Sequence, residues 1–528
     1  MAEKSTKADP ADAATRIAGG YAFTGTALEL GSVYVGDVIH PDAHIRVPLG
    51  MLNRHGLIAG ATGTGKTKTL QVLTEQLSAN GVPVVVADIK GDLSGLAQAG
   101  ATSDRVTQRA QDTGDDWTGT AFPVEFLALG GVGTGLPLRA TMTSFGPTLL
   151  SKVMDLNDTQ ESSLGLIFHY ADKAGLPLLD LKDLRAVIQI LTSDEGKADL
   201  AGLGGLSSAT AGVILRDLIG LEDQGGDVFF GEPEFETSDL LRTTSDGRGV
   251  VSAIELTNLQ DRPQLFSTFL MWLLADLFHE LPEIGDADKP KLVFFFDEAH
   301  LLFNGASKQF LESVTQTVRL IRSKGVGIFF VTQNPMDVPD DVLGQLGNRI
   351  QHALRAFTPD DADALAKAVR TYPQTDDYDL KADLTRLGIG EAVVTVLSEN
   401  GAPTPVAWTR LRAPRSLMAQ LDPAAQTQAV TSSPLQPKYA QLVDRESAYE
   451  RLAAKLAPPP AASAPVEDVP AKEPPAKEPT SRGHKTEVAA GGVVAGVLAS
   501  AAFKSFTRSA ASALGREITR GLFGTRKR

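Results

Sequence analysis

The sequence predicts an α/β fold with a mainly parallel sheet, and three stretches carry the prediction. The apolar run Gly56-Leu57-Ile58-Ala59 leads into Gly60-Ala61-Thr62-Gly63-Thr64-Gly65-Lys66-Thr67 and then into a helical pattern, Thr69-Leu70-Gln71-Val72-Leu73. The runs Gly81 to Asp88 and Leu292 to Glu298 are continuous apolar segments closed by carboxylates, as strands buried on both faces of a parallel sheet are. Ligands of open α/β sheets bind at the carboxyl ends of the strands. Asp88, Lys90, Asp92, Asp297 and Glu298 therefore share an edge with the glycine-rich turn, although for the first three a plain loop or cap role is the competing reading.

The turn fits G-x-x-x-x-G-K-[ST] in the strand-turn-helix context that gives the pattern meaning. Backbone amides at a helix N-terminus suit phosphate oxygens, a lysine suits the β/γ oxygens, and a hydroxyl suits Mg²⁺. Gly60, Ala61, Thr62, Gly63, Thr64, Gly65, Lys66, Thr67 and Lys68 are accordingly the candidate nucleotide-binding residues. Lys66 doubles as a catalytic candidate and Thr67 as a metal ligand.

Residues 1–20 are Ala/Lys/Asp-rich and expected to be disordered. Residues 21–137 hold a lead-in of a few short strands and the first part of the core. Residues 138–241 read as a helical insertion, with Leu149-Val153-Leu156, Leu184-Val187-Ile188-Leu191 and Val213-Leu215-Leu218-Leu221 at helix spacing. This insertion explains why Lys66 and Asp297 lie 231 positions apart.

Residues 242–425 form the second part of the core. Gly249 to Leu256 resumes the sheet. Leu265 to Leu281 is an apolar helix whose Asp276, His279 and Glu280 mark it as a core helix rather than a membrane span. At the end of Leu292 to Phe296, Asp297 is placed to hold the Mg²⁺ shell and Glu298 to orient and deprotonate a water. A helix over Val314 to Lys324 precedes the strand Gly327 to Asn334, and Gln333 there can hydrogen-bond both a γ-phosphate and the attacking water.

Arg349 to Arg355 reads as a further core strand. Arg349 and Arg355 are candidates for an arginine that reaches a neighbouring subunit's γ-phosphate, with surface ion pairing as the alternative for each. Residues 390 to 412 read as a terminal β-hairpin turning at Asn400-Gly401, with no evident chemistry. A helical extension follows over 426–457.

Residues 458–486 are a Pro-rich linker, with eight prolines between 458 and 480. Residues 487–528 form a basic, small-residue-rich C-terminal helix. From Ser481 onward nine Lys/Arg face two Glu, so the tail is +7 while the rest of the chain is −21. A protein or membrane-surface partner suits this helix, with homomeric packing through Gly492-x-x-x-Gly496 as the rival.

At 528 residues the chain can hold one large core plus appendages. Hydrophobic content of 42% and charged content of 22% are those of a globular protein. The net charge of −14 argues against a surface coated in nucleic acid throughout, so any polyanion must meet a local basic lining. With no cysteine there is no disulfide, thiolate site or thiol nucleophile, and the polar N-terminus leads to an expectation of cytoplasmic localisation.

A strand between the phosphate-loop strand and its acidic strand, with a glutamate after the aspartate, favours the ATPases with an additional central strand and a catalytic glutamate. No Asn-Lys-x-Asp guanine-reading tetrapeptide occurs. At this point the chain resembles the HerA-like ATPases of the HerA/FtsK group, within a bacterial helicase HerA-like branch. The resemblance rests on Pro48-Leu49-Gly50 through Thr67, on Asp88-Ile89-Lys90-Gly91-Asp92-Leu93-Ser94-Gly95, on Phe296-Asp297-Glu298-Ala299-His300-Leu301-Leu302, and on Arg322-Ser323-Lys324-Gly325-Val326-Gly327 running into Thr332-Gln333-Asn334-Pro335.

The resemblance covers residues 33 to about 415, plus the glycine/arginine-rich end. It implies a RecA-like P-loop core, ATP with Mg²⁺, a homo-hexameric ring with sites at subunit interfaces, and double-stranded DNA moved through the pore. Lys66, Thr67, Asp297, Glu298 and Gln333 carry over, while the family's N-terminal β-barrel is expected to be shortened, with about 45 residues before the motif. Two other functions compete with the motor. One is an ATP-dependent switch or assembly ATPase tethered through the C-terminal helix; the other is nucleotide binding without hydrolysis.

Overall fold

The computed structural model describes residues 9–456, apart from 201, 203, 258–261, 286, 305 and 307. The linker expected over 458–486 and the basic helix over 487–528 lie outside the described residues, as do residues 1–8. In chain order the strands are β1 (Ala27–Val35), β2 (Val38–Pro48), β3 (Gly56–Ala59), β4 (Val84–Asp88), β5 (Val124–Leu129), β6 (Leu136–Leu138), β7 (Val251–Glu255), β8 (Leu292–Phe296), β9 (Val326–Thr332), β10 (Asn348–Gln351), β11 (Glu391–Thr395) and β12 (Ala407–Leu411). They form one 12-stranded sheet in the order β2-β1-β12-β11-β10-β3-β9-β8-β4-β7-β5-β6.

From β10 to β6 every neighbouring pair is parallel. From β10 out to β2 every pair is antiparallel. Parallel neighbours need crossovers, and the helices supply them. The helix Lys66–Ala79 follows β3, Pro263–Glu280 follows β7, and Lys308–Ile321 joins β8 to β9.

Period-2 alternation divides the core between the two faces. In β8, Leu292, Phe294 and Phe296 pack with Leu265, Phe269 and Trp272 of helix Pro263–Glu280. Val293 and Phe295 face the other way, onto Leu70, Leu73 and Leu77 of helix Lys66–Ala79. Strands buried on both faces need no polar side, which is why they read as continuous apolar runs. Helix Pro263–Glu280 starts with proline in its first turn, where the missing N–H costs nothing, and is a core element. Among the described residues no helix is long and apolar enough to cross a membrane.

Between β6 and β7 the chain forms the helices Met142–Val153, Asp158–Lys173, Leu181–Thr192, Asp194–Asp199 and Ser208–Leu221. Asn157 and Asp180 open two of them with reciprocal capping boxes. Past β12, helices Pro423–Thr431, Gln436–Tyr439 and Ala448–Leu456 return to this region, where Ala448 N donates to Pro177 O and Tyr449 N to Asp183 Oδ1 at 2.7 Å.

Two expectations need correction. Residues 10–19, expected to be disordered, form a helix capped by the Asp9 carboxylate, which accepts from Ala11 N. Its apolar residues Ala13, Ala14 and Ile17 recur on one face and bury against the β1–β2 side, and that burial offsets the ordering entropy. The β11–β12 hairpin is not terminal: it lies inside the sheet between β10 and β1, and the chain after it crosses to the phosphate-loop helix.

Candidate active site

The loop between β3 and helix Lys66–Ala79 is shaped by its glycines. Gly60 (φ 153°), Gly63 (φ 79°) and Gly65 (φ 114°) occupy backbone conformations that L side chains rarely adopt. At Gly60 a Cβ would also sit 2.5 Å from His352 Cβ. Lys66 is only 7% exposed, and its ammonium donates to Gly60 O at 2.7 Å and Ala61 O at 3.2 Å, so it stays inside the curve of the loop. Burial pulls its pKa below the ordinary lysine value even though Glu298 opposes the shift. Thr67 lies in the first turn of the helix, and Lys68 turns outward to donate to Met418 O at 2.9 Å.

Strand order brings the acidic pair to this loop. β9 lies between β3 and β8, with β3–β9 and β9–β8 both parallel, so the carboxyl ends of β3, β9 and β8 share one edge. Asp297 and Glu298 follow β8 and are 1% and 5% exposed. Asp297 Oδ1 accepts from Glu298 N at 3.0 Å, whereas Asp297 Oδ2 is buried with no hydrogen-bond partner. Burial pushes Asp297 up to about 7 against the pull of Lys90.

Glu298 has left-handed backbone (φ 49°), uncommon for a residue other than glycine. Its Oε1 pairs with Lys90 Nζ, while Oε2 accepts from Gln333 Nε2 at 3.4 Å and lies 3.2 Å from His300 Nδ1. Burial tends to raise its pKa, but the hydrogen bond and charge of Lys90 prevail and hold it below the usual glutamate value. Gln333 Oε1 in turn accepts from Thr62 Oγ1 at 3.3 Å, which ties the amide to the phosphate loop. Ala61, Thr62, Gln333, His300 and Arg355 line an open cleft of ≈ 610 Å³.

The structure thus brings Gly60 to Thr67, Asp297, Glu298 and Gln333 together at one edge, with exposed Arg355 at the mouth of the cleft. It does not bring Arg349 there. That side chain leaves β10 at the level of Leu57, with Nη2 3.4 Å from Leu343 O.

Three contacts escaped the sequence. Lys90 stood on the right edge but with a loop role as its rival, and its pairing with Glu298 follows from β4 lying beside β8. His352 Nε2 lies 2.9 Å from Thr69 Oγ1, and burial lowers its pKa to about 3, so a neutral ring packs behind the loop. Gly390 N donates to Thr64 O at 2.9 Å, so the entry to β11 buttresses the phosphate loop. No short-range signal marks the last two.

The residues fit a magnesium ion. An orphaned, buried carboxylate oxygen on Asp297 and a hydroxyl at Thr67 are oxygen ligands of the kind Mg²⁺ takes when phosphates complete its shell. Among the described residues no group of three or more His, Cys, Asp or Glu forms a separate all-protein metal site.

A phosphate loop, an additional strand between it and the acidic strand, and a glutamate after the aspartate define this protein as a P-loop ATPase of the RecA-like class. The chain belongs to the family described as "Helicase HerA-like C-terminal", whose model matches residues 37–528. It is 20% identical over 372 residues to the DNA double-strand break repair helicase HerA of Saccharolobus solfataricus, covering 69% of this chain and 66% of that protein. The helicase of the same name from Pyrococcus furiosus is 24% identical over 408 residues, covering 70% and 67%. Among solved structures, plasmid coupling protein TrwB in complex with ADP and Mg²⁺ shares the fold at 16% identity, with a TM-score of 0.51 over 76% of this chain and 98% of that one.

Proposed function

We propose that the protein is a cytoplasmic motor ATPase that couples Mg²⁺-dependent ATP hydrolysis to movement of double-stranded DNA as a homo-hexameric ring. The observation that carries the hydrolytic half is the Glu298 carboxylate, buried next to the phosphate loop and joined to it through Gln333 and Thr62. The names of the HerA relatives support the DNA half.

In this reading the loop amides and the Lys66 ammonium bind the β- and γ-phosphate oxygens. Thr67 and Asp297 would hold Mg²⁺, which would neutralise charge on the phosphates. Glu298 accepts the proton of a water aligned with the γ-phosphate, and the Gln333 amide orients that water while sensing the phosphate. Arg355, exposed at the cleft mouth, suits a residue that reaches a neighbouring subunit's phosphate better than Arg349, whose guanidinium donates to Leu343 O.

The test is ATP hydrolysis with and without duplex DNA, paired with electron-microscopy class averages in an ATP analogue. The expected results are DNA-stimulated turnover and six-fold rings with density through the hole. Turnover indifferent to DNA, from a protein that fails to retain duplex at low salt, removes the DNA half and leaves an ATPase of other purpose.

A further inference from the structure

We infer that Lys90 is the positioning residue for the catalytic base, holding the Glu298 carboxylate toward the phosphate loop from the adjacent strand. The inference rests on the reading of Glu298 as that base. The left-handed backbone at 298 takes this residue out of the β8 geometry, so strand pleating does not aim its side chain. Direction comes instead from the two strands that flank β8. Oε1 is held by Lys90, in the loop after β4, and Oε2 by Gln333, just past β9, with His300 Nδ1 also 3.2 Å from Oε2.

The Lys90 side of this suspension is built to stay put. The Asp88 carboxylate accepts from Gly91 N at 2.7 Å and Leu93 N at 2.9 Å, closing the loop around Lys90. Gly91 supplies the positive φ (74°) that this turn requires. Ser94 Oγ donates to Gly91 O at 2.9 Å, and Gln420 Nε2 donates to Lys90 O at 3.1 Å from the segment past β12. Lys66 lies instead inside the phosphate loop, where its ammonium donates to the Gly60 and Ala61 carbonyls. The two lysines therefore divide the work, one on the phosphate loop and one on the carboxylate.

The experiment measures kcat, KM and fluorescent ATP-analogue Kd for Lys90→Met, Lys90→Gln and Lys90→Arg, each alone and combined with Glu298→Gln, with melting temperature as the folding control. Displacing a base by about 1 Å can cost about 100-fold in rate. Lys90→Met and Lys90→Gln should therefore lose roughly 10- to 100-fold in kcat, with KM and Kd within about twofold. Lys90→Arg should recover most of the loss, and no Lys90 change should slow Glu298→Gln further. A tenfold weaker Kd would make Lys90 a phosphate ligand, and failure of arginine to rescue or a further loss on top of Glu298→Gln would make its role independent of the base; each outcome overturns the inference. Wild-type kcat in Lys90→Met beside an inactive Glu298→Gln overturns this inference alone. Wild-type turnover by Glu298→Gln overturns the base reading as well.

Discussion

Thr62 Oγ1 donates to Gln333 Oε1 at 3.3 Å across 271 positions of chain, and the same amide donates to Glu298 Oε2 at 3.4 Å. A side chain from the phosphate loop is thereby linked to the proposed base, Glu298, through one glutamine. Gln333→Ala breaks both bonds while leaving the Lys66 contacts in place. It is expected to lower kcat about tenfold with ATP affinity changed less than threefold, read by steady-state phosphate release. An equal loss in affinity and rate would mean that Gln333 only binds nucleotide.

Lys66→Ala and Glu298→Gln should separate binding from chemistry. Lys66→Ala removes the ammonium held at Gly60 O and Ala61 O and is expected to lose both tight ATP binding and turnover. Glu298→Gln keeps the shape of the side chain and loses proton acceptance, so turnover should drop by about 10²–10⁴-fold with ATP Kd unchanged. Nucleotide titration beside phosphate release distinguishes the two.

Gly60→Ala tests the cradle. At φ 153° an alanine is strained, and its Cβ would meet His352 Cβ at 2.5 Å. The loop must shift, and ATP affinity should fall at least about tenfold, by a tenfold-per-1.4 kcal/mol measure of even modest strain. Wild-type affinity would show that the loop is reshaped without cost.

Glu75 is a buried carboxylate on the phosphate-loop helix. It accepts from Arg415 N at 2.8 Å and Ser416 N at 2.9 Å and also bonds Ser416 Oγ, so it ties down the segment past β12. Burial raises its pKa, with those donors opposing. Glu75→Leu strands two amides and a hydroxyl and should cost about 3 kcal/mol of stability. Urea unfolding measures this, and a change below about 1 kcal/mol would mean that water replaces the carboxylate.

His55 sets a pH dependence. Burial lowers it from 6.5 to about 4, and its Nδ1 accepts from Ile328 N at 3.0 Å, so the folded protein holds it neutral. The unfolded chain takes up the proton first, so this contribution is full above pH 6.5 and is lost as pH falls toward 4. Stability should drop by about 3 kcal/mol over that window from this residue alone. A His55→Asn variant should show a correspondingly flatter stability–pH curve, and identical curves would assign the acid sensitivity elsewhere.

The candidate site could be read from the sequence wherever its residues belong to one turn or one strand end. Gly60, Gly63 and Gly65 are demanded by the backbone of one turn, and Lys66 and Thr67 open the helix that follows it. Asp297 and Glu298 betrayed themselves by ending an apolar run, because a parallel strand buried on both faces has no other place for charge. The apolar run that forms β9, with Gln333 just past it, followed from the same logic.

Tertiary structure alone decided who stands beside whom. Lys90 meets Glu298 because β4 pairs with β8, Gly390 supports Thr64 because β11 returns beside β10, and His352 backs the loop because β10 pairs with β3. The helix at Pro10–Gly19 exists because the β1–β2 side offers its three apolar residues a surface to cover. Strand order is fixed by the sum of packing across the whole sheet, whereas a motif records only the conformational needs of its own few residues.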